Sequence, residues 1–126
     1  MNNLNHQLVF IGTYTGDDLS SPGQIFNPRA QGIHVYEFEP VSGTLHPFAV
    51  NESGPNPSFL AFDPSRCFLY AVNEVKQYGG QPAGAVSAFA VDPSTGSLNF
   101  LNRRSSHGTD PCHLVVDKTG RNVLVA

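Results

Sequence analysis

Basic residues are scarce in this sequence: five arginines and two lysines stand among 126 residues, against ten acidic ones, for a formal net charge of -3. A nucleic-acid surface neutralises phosphates with clustered cations, so no nucleic-acid partner is expected. No apolar run approaches the length of a membrane span, and Met1-Asn-Asn-Leu-Asn-His-Gln7 lacks the basic region and apolar stretch of a secretory signal, so no membrane partner is expected either. Helical periodicity is missing as well, because glycine (12) and proline (10) recur too often to sustain an apolar 3.6-residue pattern. Cysteine is limited to Cys67 and Cys112, which show no metal-ligand spacing and are expected to be buried free thiols in a reducing compartment. His6, His34 and His46 are scattered over different elements, so no metal constellation is expected. What is present is 40% hydrophobic residues with only 13% charged, the balance of a folded globular chain.

That apolar content is organised as a repeat. Asn56-Pro-Ser-Phe-Leu-Ala-Phe-Asp-Pro-Ser-Arg-Cys-Phe-Leu-Tyr-Ala-Val-Asn-Glu74 reads as a strand, a tight turn and a second strand, and Asp110 to Ala126 echoes it with Pro57 against Pro111, Leu60 against Leu114 and Asp63 against Asp117. A second unit, Gln31 to Leu45, returns as Gly84 to Leu98, with Gly43 against Gly96 and Leu45 against Leu98. The two unit types interleave into one period of about 50 residues carrying four strands.

Taken in order, Leu8–Tyr14, Gly32–Phe38 and Thr44–Val50 are strands of a first unit that begins at its second strand, with residues 15–31 as a long loop. Strands near 58–63, 68–73, 85–91 and 97–103 make the next unit complete. Turn chemistry separates them: Asp92-Pro-Ser-Thr-Gly96 and Asp117-Lys-Thr-Gly120 offer a carboxylate acceptor and a glycine for positive φ, whereas Asp63-Pro-Ser-Arg66 puts arginine at the glycine position, at about 1 kcal/mol if φ is positive there. Several strands are apolar on both faces, as in sheets covered on both sides. The expected fold is therefore an all-β β-propeller within one incomplete domain over 1–126: a partial blade at 8–50, a complete blade at 57–104 and the first two strands of the next at 111–126. Lys76-Gln-Tyr-Gly-Gly-Gln-Pro82 lacks the spacing of a phosphate loop and is expected to be a flexible connection. Stacked repeats need several copies, and Asn122-Val-Leu-Val-Ala126 stops within a strand, so the chain reads as the N-terminal fragment of a longer protein.

Phe10-Ile-Gly-Thr-Tyr14, Asn56-Pro-Ser-Phe-Leu-Ala61, Phe68-Leu-Tyr-Ala-Val-Asn-Glu74, Gly84-Ala-Val-Ser-Ala-Phe89 and Gly108-Thr-Asp-Pro-Cys-His113 together resemble the bacterial 6-phosphogluconolactonases of the seven-bladed lactonase propeller family. Arg66-Cys67 departs from that family's usual Gly-Arg in the first hairpin turn. The resemblance implies a cytoplasmic enzyme of the pentose phosphate pathway that hydrolyses a phosphosugar lactone, 6-phospho-D-glucono-1,5-lactone, with no cofactor and no metal. The family also resembles enzymes that act on muconate lactones, and propellers serve as non-catalytic binding platforms as well, so those readings stand beside the first. No protein partner is indicated.

In a four-stranded up-and-down blade the start of the first strand and the end of the second share a rim, which places Tyr14, Asn56, Asn73, Glu74, His107, Asp110 and His113 together. Lactone hydrolysis needs a base to activate water and donors for the tetrahedral oxyanion. Glu74, ending an apolar strand, is a candidate base or water-orienting group, or else a solvated strand-end carboxylate. His113 stands where the preceding copy has Phe59, and a polar residue replacing an aromatic one at the channel points to catalysis, or to a hydrogen-bonded structural histidine. Arg103 and Arg104 are candidates for the anionic part of the substrate, Tyr14 and Asn73 for its hydroxyls, and His107 for a loop contact to it. By itself the fragment is expected to be inactive.

Overall fold

The computed structural model describes residues 7–16 and 30–126, so most of the loop expected at 15–31 lies outside the described residues. Among the described residues the regular elements are all strands: β1 (Gln7–Ile11), β2 (Ile33–Glu39), β3 (Thr44–Asn51), β4 (Leu60–Phe62), β5 (Phe68–Asn73), β6 (Gln77–Tyr78), β7 (Gln81–Pro82), β8 (Ala85–Val91), β9 (Leu98–Ser105), β10 (Leu114–Val116) and β11 (Val123–Val125). They form antiparallel sheets β1-β2-β3, β4-β5-β8-β9 and β10-β11, with β6-β7 a separate hairpin. The chain is thus all-β and takes the form of a partial propeller with three successive blades.

The repeat extends to the irregularities. Register shifts fall between Val35 and Tyr36 in the first blade and between Ala88 and Phe89 in the second, so Phe48 and Leu101 are the extra residues on the outer strands. A bulge repeated at equivalent positions bends both outer strands alike.

Alternation along the strands aims one face of the second blade at the first. Leu60 lies opposite Ala71 and Leu69 opposite Phe89, and these side chains close around Ile33 of the first blade. Phe10 joins from β1 and meets Phe62 edge to face, ring centroids 5.3 Å apart. Burying Leu69 or Phe89 contributes about 1.5–3 kcal/mol each, so the interface between blades is itself the core. Asn51, at the end of β3, fastens the same interface by donating to the Gly96 carbonyl and accepting from the Leu98 N–H, at 3.0 and 2.9 Å.

Turns follow the expected chemistry with one exception. Asp63 accepts from the N–H groups of Ser65 and Phe68, and Asp117 from those of Arg121 and Asn122. Arg66 has φ 61°, the left-handed conformation that Gly120 adopts at φ 70°. The exception is Lys76–Pro82, which is not a flexible connection: Tyr78 pairs with Gln81, and Gly79 and Gly80 at φ 61° and 76° supply the two left-handed residues of a type I′ hairpin turn. The Tyr78 hydroxyl donates to the Arg103 carbonyl at 3.2 Å, tying this hairpin to β9. Both cysteines are free, but exposed rather than buried, because each lies in a connecting turn and not on a strand face.

Candidate active site

The rim is built around the corner that leads from β3 into β4. Asn56 sits there at φ 42°, a left-handed conformation that asparagine tolerates better than most residues. Its carbonyl accepts from the N–H groups of Ser58 and Glu74, at 2.8 and 3.0 Å. On the other side, the chain leaving β1 comes close at Gly12, where a Cβ would lie 2.2 Å from the Pro57 carbonyl oxygen; only glycine permits that approach. The Thr13 N–H then donates to the same Pro57 carbonyl at 3.0 Å, and the Thr13 hydroxyl donates to the Gly32 carbonyl at 2.5 Å.

Tyr14 is thereby carried from the first blade to the strand end of the second. Its hydroxyl donates to Glu74 Oε2 at 2.7 Å, and the Ser58 hydroxyl donates to the same oxygen at 2.6 Å. Bonds to an ionised acceptor are the stronger kind, and two of them hold the half-buried carboxylate in one orientation. The Glu74 hydrogen bond pushes the Tyr14 phenol above its ordinary value of 10.0; burial and the Glu74 charge add to the rise, the Ser58 bond opposes it, and the charge of nearby Cys112 adds a last increment. Tyr14 therefore remains a protonated donor at neutral pH.

His113 opens β10, and its exposed ring lies against Phe59, centroids 4.4 Å apart and planes tilted by 48°. Phe59 follows Ser58 directly, so the corner of the third blade stands beside the Tyr14–Glu74–Ser58 cluster. Such an arrangement offers a fixed carboxylate, two hydroxyls and an accessible imidazole at one rim.

The remaining sequence candidates fall elsewhere. Asn73 is corrected from a sugar-binding group to an internal one: it is 0% exposed, donates to the carbonyls of Pro55 and Ser53 at 2.7 and 3.3 Å, and accepts from Ser87 Oγ at 2.6 Å. Arg103 is likewise turned inward, its Nε donating to Ser87 Oγ at 2.8 Å and its Nη2 to the Ser53 carbonyl at 3.0 Å, with the guanidinium over the Phe100 ring. Gly54 makes room for it, since a Cβ there would lie 1.9 Å from Arg103 Nη2. Alternation along β9 sends the neighbouring Arg104 to the opposite face, where it is exposed. His107 is exposed in the turn after β9 at φ 60°, with its N–H donated to Ser105 Oγ. Neither joins the cluster. Sequence reasoning missed Ser58; the signal for it was a hydroxyl beside Phe59 at a corner already assigned to the rim. Among the described residues, no group of three or more His, Cys, Asp or Glu side chains is placed to hold a metal ion.

Residues 8–126 match the family described as lactonase, 7-bladed beta-propeller. Curated relatives named 6-phosphogluconolactonase include one from Formosa agariphila, 31% identical over 94% of this chain and 30% of its own length, and one from Bacillus subtilis, 27% identical over 93% and 29%. The chain thus spans about 30% of the length of the curated relatives it matches. Among solved structures, a Bacteroides fragilis protein proposed to be a 6-phosphogluconolactonase superposes with TM-score 0.79 at 31% identity, covering 100% of this chain and 31% of that one. A Pseudomonas aeruginosa periplasmic gluconolactonase superposes with TM-score 0.75 at 27% identity, covering 95% and 30%.

Proposed function

The chain belongs to the seven-bladed β-propeller lactonase family, and from that premise we propose that its blades form part of the active site of a 6-phosphogluconolactonase, converting 6-phospho-D-glucono-1,5-lactone to 6-phosphogluconate in the pentose phosphate pathway. The observation that carries this reading is the convergence of Tyr14 and Ser58 on Glu74 at the rim where His113 is exposed. In the reaction, water attacks the lactone carbonyl and gives one proton to a base, and the resulting oxyanion collapses, breaking the bond to the ring oxygen, which takes that proton from the base and is released as a hydroxyl. His113 is assigned the proton transfer and Glu74 the orientation of water or of a sugar hydroxyl, with Tyr14 and Ser58 holding that carboxylate. No metal or cofactor is assigned a part. Arg104 and His107 remain the candidates for the phosphate in this stretch, and no protein partner is proposed.

Three sheets do not enclose a channel, so the activity is assigned to the whole propeller, of which 1–126 is one part of a single domain. Residues 1–126 alone are expected to hydrolyse the lactone no faster than buffer. The test supplies freshly made 6-phosphogluconolactone at neutral pH to the complete protein carrying these blades; a rate equal to spontaneous hydrolysis refutes the proposal.

A second reading, an unphosphorylated sugar lactone as substrate, is favoured by the inward engagement of Arg103 and by the Pseudomonas relative named a gluconolactonase. Comparing rates with and without the 6-phosphate separates the two. We place the protein in the cytoplasm, where exposed unpaired Cys67 and Cys112 persist as thiols; among the described residues no helix is long and apolar enough to cross a membrane. Recovery in a periplasmic fraction would overturn that placement.

A further inference from the structure

We infer that Asn56 is the positioning residue of the rim site: its side chain bridges two blades and so sets the Tyr14–Glu74 contact, a role that rests on the lactonase reading only for its effect on turnover. Asn56 is 5% exposed, and its side chain bonds at both ends. Its Oδ1 accepts from the N–H groups of Thr15 and Gly16 at 3.0 and 3.2 Å and from the Thr15 hydroxyl at 3.3 Å, all on the segment leaving the first blade. Its Nδ2 donates at 3.1 Å to the carbonyl of Glu74 in the second blade. The Asn56 N–H also donates to Thr15 Oγ1 at 3.1 Å. Tyr14 thus stands between Thr13, held by Pro57 and Gly32, and Thr15, held by Asn56.

A phenol reaches a carboxylate across a blade boundary only if both chains are held to a fraction of an ångström, because a hydrogen bond tolerates little misplacement. The Asn56 amide is a single planar group that bonds to the backbone on both sides of this contact. Aspartate at 56 would lose the donor to Glu74, and a shorter residue would lose the span. The left-handed backbone separates this role from simple corner-making, since Asp110 takes the same conformation at φ 55° before Pro111.

The test uses the complete protein labelled with 3-fluorotyrosine, whose phenols titrate at lower pH, followed by fluorine NMR; the resonance missing from the Tyr14→Phe variant is that of Tyr14. Asn56→Gly keeps the positive φ and removes the bridge, while Asp110→Gly makes the same backbone change at the other corner. The expected result is that Asn56→Gly moves the Tyr14 titration midpoint down and lowers kcat/KM by about tenfold, chiefly in kcat, while Asp110→Gly moves neither. Asn56→Gly melting earlier, with the Tyr14 midpoint in place and kcat/KM within about twofold of Asp110→Gly, would overturn the inference and leave Asn56 a corner cap. If the unaltered protein hydrolyses no lactone, the Tyr14 midpoint still decides the role of Asn56, and the functional reading fails separately.

Discussion

Asn56-Pro57-Ser58-Phe59 and Asp110-Pro111-Cys112-His113 enter successive blades through the same backbone corner: φ is 42° in one and 55° in the other before a proline that is buried in both. Their side chains part company. Asn56 is buried and bridges two blades, whereas Asp110 is exposed and its N–H bonds to the Val75 carbonyl. Ser58 donates to Glu74, while Cys112 presents an exposed thiol; the Phe59 and His113 rings lie against each other with tilted planes. The repeat therefore specifies how a blade begins, and the chemistry collects at positions where the copies diverge.

Changing the carboxylate that the first corner serves should have the largest effect. Glu74→Gln removes the charge to which Tyr14 and Ser58 donate, and kcat/KM for the lactone is expected to fall by about a hundredfold or more; steady-state rates corrected for spontaneous hydrolysis measure it, and near-normal turnover would reduce Glu74 to a strand-end carboxylate. Making the second corner resemble the first comes next. His113→Phe restores the other copy's aromatic ring, so folding should stay nearly intact while kcat/KM drops roughly tenfold. Unchanged turnover with unchanged thermal melting would end the catalytic assignment of His113.

The hairpin turns below the two corners extend the comparison to stability. Asp63→Ala strips acceptors from Ser65 and Phe68 and should cost about 1–2 kcal/mol in urea unfolding. The same pair predicts a pH dependence. Burial pushes the Asp63 carboxyl up, but the bonds from Ser65 and from the Phe68, Ser65 and Cys67 backbone together hold it below 3.8. Thr119 first, then the Asn122 and Arg121 N–H groups, hold Asp117 at about 2. A carboxyl depressed in the folded state adds stability above its unfolded value and loses it as pH falls through the folded one. Acid should thus erode stability below the ordinary value of 3.8, with the Asp117 part persisting down to about 2. Melting curves taken across that window on Asp117→Asn should be flatter than those of the unaltered protein.

The smallest effect is expected at Arg66, which occupies the place of Gly120 at nearly the same φ. Arg66→Gly should stabilise by about 0.5–1 kcal/mol, the relief of left-handed strain less the added freedom of the unfolded chain. A lowered urea midpoint would mean that the arginine side chain makes up the difference through its contacts.

Legibility in the sequence followed the range of the forces involved. The strands and the aspartate-closed turns were readable because they depend on neighbours a few residues apart, and the shared rim was readable because an up-and-down blade has only one way to run. Tyr14 and Glu74 were both chosen for that reason, and they do meet. Arg103 and Asn73 were misread. Residue type announced a phosphate ligand and a sugar donor, yet both polar groups are spent on the Ser53 and Pro55 carbonyls and on Ser87.

Local pattern and repeat spacing by themselves determined the all-β propeller, its turn chemistry and the rim to search, since backbone sterics and a two-residue strand period act within short windows. Only the tertiary structure decided which rim side chains face one another and which turn inward. That depends on how the second blade seats on Ile33 and Phe10 of the first, where Gly12 and Gly54 yield space to a backbone and a guanidinium from residues 45 and 49 positions further along the chain. Contacts at such separation are set by packing and hydrogen-bond satisfaction across the whole interface, and no short window of sequence contains both partners.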